Sequence, residues 1–233
     1  MKYGELRERV YRANRELNAR GLVVYTFGNA SGIDRKSGIV AIKPSGVDYE
    51  NLAPEDMVLL DLDGTVVEGT YNPSSDTKTH LVLYRAFGDI GGVVHTHSRY
   101  ATAWAQARRN LPAYGTTHAD YFYGDVPCTE VISNERILRD YEEETGNLIL
   151  DTFRERDHMS MKAVLVACHG PFVWGKDPGE AVYLSVMLEE CARMGYMTSG
   201  LNPGIGPMKR ELLEKHYLRK HGENAYYGQK DRG

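Results

Sequence analysis

Two histidines one residue apart close an apolar run in Gly91-Gly-Val-Val-His-Thr-His-Ser98. Side chains alternate faces along a strand, so His95 and His97 point the same way, as two ligands of one cation must. A third imidazole, His169, stands in Cys168-His-Gly-Pro171 after another apolar run. Three histidines on a divalent cation leave one position free, and through it a substrate oxygen can be polarised. Taken singly, each histidine reads equally well as a polar residue at a strand end; taken together, they read as a catalytic metal site. Asp76 lies in Asn72-Pro-Ser-Ser-Asp-Thr77. Either Ser74 or Ser75 caps the helix that follows, or the two serines and the helix N-terminus bind a phosphate while Asp76 faces the metal. Gly28-Asn-Ala-Ser-Gly32 and Lys43-Pro-Ser-Gly46 are turns rich in N–H and hydroxyl donors, and they are candidates for an anion nest.

These residues need a scaffold, and the chain of 233 residues is long enough for one α/β domain with a full core. A net charge of −4 argues against a general nucleic-acid or anionic-membrane binder and leaves a small molecule as the expected partner. The cysteines, Cys128, Cys168 and Cys191, are odd in number and lack metal-knuckle spacing, which fits a reducing compartment. No signal-like or membrane-spanning apolar stretch is present, so the expected location is the cytoplasm. Leu6, Val10, Ala13 and Leu17 recur at helical spacing up to Gly21. Short apolar runs at 22–27, 39–42 and 58–62 predict strands, and Asp63-Gly64 predicts a hairpin turn. Helices are expected at 77–87, 100–108, 179–197 and 208–221, with strands at 92–97 and 163–167 delivering the histidines. The expected architecture is a mixed central sheet with helices on both faces, one domain over 1–229 with a fraying polar tail at 230–233.

A competing motif is Met57-Val-Leu-Leu-Asp-Leu-Asp-Gly-Thr65, which matches the nucleophile loop of haloacid-dehalogenase-type phosphatases. That chemistry requires a later strand-borne acidic pair for magnesium, and Asp140-Tyr-Glu-Glu-Glu144 follows polar residues instead. A strand and tight turn is the preferred reading.

Taken together, the residues resemble the class II aldolase and epimerase family, nearly end to end. The resemblance rests on Gly28-Asn29, Lys43-Pro-Ser-Gly-Val-Asp48, Pro73-Ser-Ser-Asp76, Val94-His-Thr-His-Ser98, Gly115-Thr-Thr-His-Ala-Asp-Tyr-Phe-Tyr-Gly124, His169-Gly-Pro171, Lys215-His-Tyr-Leu-Arg-Lys-His-Gly222 and Ala225-Tyr-Tyr-Gly-Gln229. The block around Asp120 and the double tyrosine favour the epimerases over the aldolases. The resemblance implies a single-domain class II aldolase-like fold and a pentulose phosphate as substrate. It also implies one divalent cation per subunit, zinc foremost, on His95, His97 and His169, with Asp76 as fourth group. Gly28, Asn29, Ser45, Gly46, Ser74 and Ser75 would hold the phosphorylated substrate, with Lys43, Thr116, His216 and Arg219 in the same site. Asp120 and Tyr227 would be the acid/base pair. Family members are usually homotetramers, and His216, Arg219 and Tyr227 would reach a neighbour's metal site. Two rivals share the scaffold. Sugar-phosphate aldolases of the fuculose-1-phosphate type carry a glutamate in place of Asp76, and non-catalytic cytoskeletal head domains lack the metal ligands that this chain retains.

Overall fold

The computed structural model describes residues 3–222 together with Ala225 and Tyr226. Helix α1 (Gly4–Ala19) buries Leu6, Val10, Ala13 and Leu17, the four positions its periodicity selects. Full burial of one such side chain stabilises by roughly 1.5–3 kcal/mol. Asn14 is buried on the same face, where its amide donates to Ala30 O at 3.0 Å and accepts from Ala30 N at 2.9 Å. That pair of bonds fastens α1 to β1 (Asn29–Asp34). A meander follows through β2 (Ile39–Ile42), β3 (Val58–Leu60) and β4 (Val66–Glu68). Helix α2 (Thr77–Ala86) then leads to β5 (Gly92–His95), and α3 (Arg99–Gln106), the single turn α4 (Thr116–Ala119) and α5 (Asn134–Thr152) come next. The hairpin of β6 (Ala163–Val166) and β7 (Gly170–Gly175) precedes the long α6 (Pro178–Leu201) and α7 (Arg210–His221).

The seven strands form one sheet in the order β4-β3-β2-β1-β5-β7-β6. Ala30, Ala41, Leu59 and Val94 face α1 and α6, while Ile33, Val40 and Val93 face Leu81 and Tyr84 of α2. Helices on both faces of one sheet therefore form as expected. The strand directions are a refinement: every named ladder is antiparallel. Among the described residues the one parallel link is an isolated bridge between Cys128 and Leu165. Short turns join β1 to β2, β3 to β4 and β6 to β7, and a direct turn reverses the chain, while residues 43–57 with two 3-10 turns link β2 to β3.

Two strand expectations need correction. Residues 22–27 form a turn with exposed Val24, Tyr25 and Phe27, not a strand. The strand is Asn29–Asp34 instead, although its small residues are of turn-forming type. Their size serves packing, because a Cβ on Gly32 would meet Pro178 Cγ at 2.6 Å and Val10 Cγ2 at 3.0 Å. At 61–65 the predicted tight turn is present: the Asp61 carboxylate accepts from Asp63 N at 3.0 Å and Thr65 N at 2.8 Å. A carboxylate closing its own turn is not placed as a phosphatase nucleophile.

Candidate metal centre

His95 ends β5, paired with Asn29 of β1 on one side and Phe172 of β7 on the other. His97 lies two residues beyond, and His169 sits in the turn between β6 and β7. Antiparallel pairing brings the exit of β5 beside the entrance of β7, which is why histidines 74 positions apart in sequence meet. One ring nitrogen from each of the three lies within 4.8 Å of the others. The Nε2 atoms of His95 and His97 are 3.1 Å apart. His95 Nδ1 donates to Pro171 O at 2.9 Å, and Phe172 stacks on the same ring, so its Nε2 is the free ligand atom.

The charge states suit a cation. Burial, then His95, lowers the pKa of His97, and the same causes push His169 down to about 3. Burial alone would raise Asp76, but His95, His80 and the Asn29 amide outweigh it and hold the carboxyl below its usual range. The neutral forms of His97 and His169 beside an ionised carboxylate are those that bind a divalent metal. The donor set fits a three-histidine site, with Asp76 adjacent but outside the tight group of three.

Asp76 stands at the N-cap position of α2 without making a side-chain cap bond. Its Oδ2 accepts from Asn29 Nδ2 at 2.7 Å, and the same amide donates to Ser74 Oγ at 2.9 Å. The loops carrying the anion-binding candidates are tied together by Ser45 N donating to Asn72 O and Ser74 N to Lys43 O. Gly28, Asn29, Lys43, Ser45, Gly46, Ser74, Ser75 and Asp76 line one cavity of ≈ 390 Å³ with His95, His97 and His169. Lys43 departs from expectation in its direction. Its amine donates to Val47 O at 2.7 Å and Pro44 O at 3.2 Å, and burial pushes its pKa down to about 8. It braces the loop from beneath.

The remaining candidates form a second cluster. Asp120, just past α4, accepts from Arg219 Nη2 at 2.8 Å and from His216 Nδ1 at 3.2 Å, and Lys220 Nζ lies at 3.3 Å. Burial acts to raise its pKa, but Arg219, Lys220 and His216 together lower it. Thr116 O accepts from Asp120 N at 3.0 Å. None of Thr116, Asp120, His216 and Arg219 lines the histidine cavity. Tyr227 lies outside the described residues.

Four residues at the cavity escaped sequence reading: Thr26, Phe27, Tyr141 and Glu142. Phe27 stacks on His97 with ring centroids 5.9 Å apart, and the Tyr141 hydroxyl lies 3.3 Å from His169 Nδ1. A usable signal was Asp140 followed three residues on by Glu143, an N-cap pattern inside a helical stretch.

With this geometry in view, residues 8–196 match the family described as Class II Aldolase and Adducin N-terminal domain. The chain is 54% identical over 226 residues to a protein of Salmonella paratyphi A (strain ATCC 9150 / SARB42) named L-ribulose-5-phosphate 4-epimerase UlaF, covering 97% of this chain and 99% of that one. The protein of the same name from Salmonella typhi matches at the same identity and coverage. Among solved structures, an L-fuculose 1-phosphate aldolase superposes with a TM-score of 0.79 at 26% identity, covering 93% of this chain and 96% of that one.

Proposed function

The chain belongs to the class II aldolase family, and from that membership we propose that it is a metal-dependent L-ribulose-5-phosphate 4-epimerase, converting L-ribulose 5-phosphate and D-xylulose 5-phosphate into one another. The observation that carries the reading is the three-histidine cluster opening onto a cavity walled by the Gly28, Ser45–Gly46 and Ser74–Ser75 loops. Identity of 54% to proteins named as epimerases, against 26% to the aldolase, favours the epimerase over the aldolase.

The carbon-4 hydrogen of such a substrate is too weakly acidic for a side-chain base, so a different bond has to break. When bound by His95, His97 and His169, with Asp76 beside them, a divalent cation, zinc foremost, supplies the Lewis acidity that turns the ketose carbonyl into an electron sink. A base then takes the carbon-4 hydroxyl proton, and the bond between carbons 3 and 4 cleaves to a dihydroxyacetone enediolate and glycolaldehyde phosphate. Ser45, Gly46, Ser74, Ser75, Gly28 and Asn29 hold the substrate by its phosphate, with Lys43 bracing the loop, so that the aldehyde turns without escaping. Re-addition to its opposite face gives the epimer, and a second group returns the proton. Asp120 and Tyr227 are our candidates for the two proton-transfer roles, and Thr116, His216 and Arg219 for substrate contacts beside them.

Because the Asp120 cluster does not line the cavity of its own chain, we assign it to the cavity of a neighbour in a head-to-tail homotetramer. Among the described residues no helix is long and apolar enough to cross a membrane. We place the enzyme in the cytoplasm, as one domain over 1–229. The test is a coupled assay for D-xylulose 5-phosphate from L-ribulose 5-phosphate, run in D₂O. Bond cleavage between carbons 3 and 4 predicts product that retains its carbon-4 hydrogen; deuterium at carbon 4, or no product, overturns the reading.

A further inference from the structure

Helix α5 is interrupted inside its span, and the interruption faces the metal cavity. Asp140 leaves helical geometry at φ −168°, ψ 96°. Its Oδ1 accepts from Glu143 N at 3.2 Å, an N-cap bond that starts the second half of the helix. Its Oδ2 accepts from Lys78 Nζ of α2. Two more α2 side chains hold the same turn: Thr79 Oγ1 donates to Glu142 O at 2.6 Å, and Arg85 lies 3.7 Å from Glu143. Tyr141 is the first residue past the cap, and from there its hydroxyl comes within 3.3 Å of His169 Nδ1. The two rings are tilted at 38° with centroids 6.1 Å apart.

An imidazole that binds a metal through Nε2 carries its proton on Nδ1 and needs an acceptor there to fix the ring. His95 has Pro171 O in that place. His169 follows Cys168, whose φ of 63° turns the chain sharply, and its Nδ1 is met by Tyr141 instead. We propose that Tyr141 is a positioning residue of the metal centre. Its hydroxyl oxygen accepts from His169 Nδ1–H, which presents Nε2 to the cation, and the Lys78–Asp140 pair holds Tyr141 within reach. The hydroxyl hydrogen is then left to point into the cavity. Since α2 also carries Asp76 at its start, one helix sets both the carboxylate and the support of the third histidine. This inference rests on the reading that the three histidines bind a metal.

Tyr141→Phe keeps the ring and deletes the oxygen. Zinc affinity, measured on the full chain by competition with a chromophoric chelator, should fall roughly 10–100-fold, the usual effect of losing such a support. The absorption bands of the cobalt-loaded protein should shift, while thermal unfolding of the metal-free protein stays unchanged. Lys78→Met, on an exposed side chain, should weaken zinc binding in the same direction by a smaller factor. Zinc affinity and cobalt bands equal to those of the parent in Tyr141→Phe would overturn the role of Tyr141 and leave the metal site standing. A parent chain that binds no zinc or cobalt would overturn the metal reading, and this inference with it.

Discussion

Lys43 is 1% exposed, with its amine held by two carbonyls of its own loop and its charge poorly solvated. Burial sets its folded pKa at about 8, below the ordinary 10.5. Above pH 8 the folded chain has released a proton that the unfolded chain still binds, so stability rises with pH until about 10.5. The full contribution is on the order of 3 kcal/mol. Urea unfolding at pH 7, 8 and 9.5 should show this slope in the parent and lose it in Lys43→Met; parallel profiles would mean that the amine stays solvated. At this scale the sequence was legible wherever residue type and local period decide. The grouping of His95, His97 and His169, expected from residue type and spacing, is present. The direction of the Lys43 amine and the approach of Tyr141 to His169 were not legible, since each depends on a partner distant in the fold or on a loop closing over it.

Among the elements, the hairpin of β6 and β7 brings His169 to His95. The first residue of β7, Gly170, sits against the exit of β5, where an added Cβ would lie 2.7 Å from Thr96 O. Gly170→Ala must therefore push β7 away from β5. Metal affinity should fall by about tenfold or more, with about 1–3 kcal/mol of lost stability, the usual cost of overpacking. Metal titration and denaturant melts check both, and an alanine variant with parental affinity would show that this close approach does not set the site. Helices α1, α2, α3, α6 and α7 were legible from apolar spacing, and β2, β3, β5 and β6 from short apolar runs. β1 was not, because Asn29-Ala-Ser-Gly32 carries turn residues that form a strand only where α1 and α6 demand small side chains. The break in α5 had only the weak local signal of Asp140 and Glu143 within a polar run, and the Lys78 contact that fixes it is long-range.

For the whole molecule, the candidate residues fall into two clusters, one around the histidines and one around Asp120. Residue type and spacing named the histidine cluster and the family resemblance the other, but neither separated them, because separation is a matter of where α4 and α7 pack. The proposed head-to-tail sharing predicts complementation. His97→Ala chains retain a good Asp120, and Asp120→Asn chains retain a good metal site, so mixed assemblies should regain activity that neither has alone. With random mixing of equal amounts, roughly a quarter of interfaces pair the intact halves. No gain despite proven subunit exchange would place both clusters in one chain's site or Asp120 outside the chemistry. The most direct test of the metal-dependent epimerase is titration of the stripped protein with zinc, manganese or cobalt while L-ribulose 5-phosphate turnover is followed. Turnover should be absent at the start, rise in proportion to added metal and level at about one cation per chain, since one site needs one Lewis acid. Undiminished epimerisation by protein verified to be free of metal would contradict it.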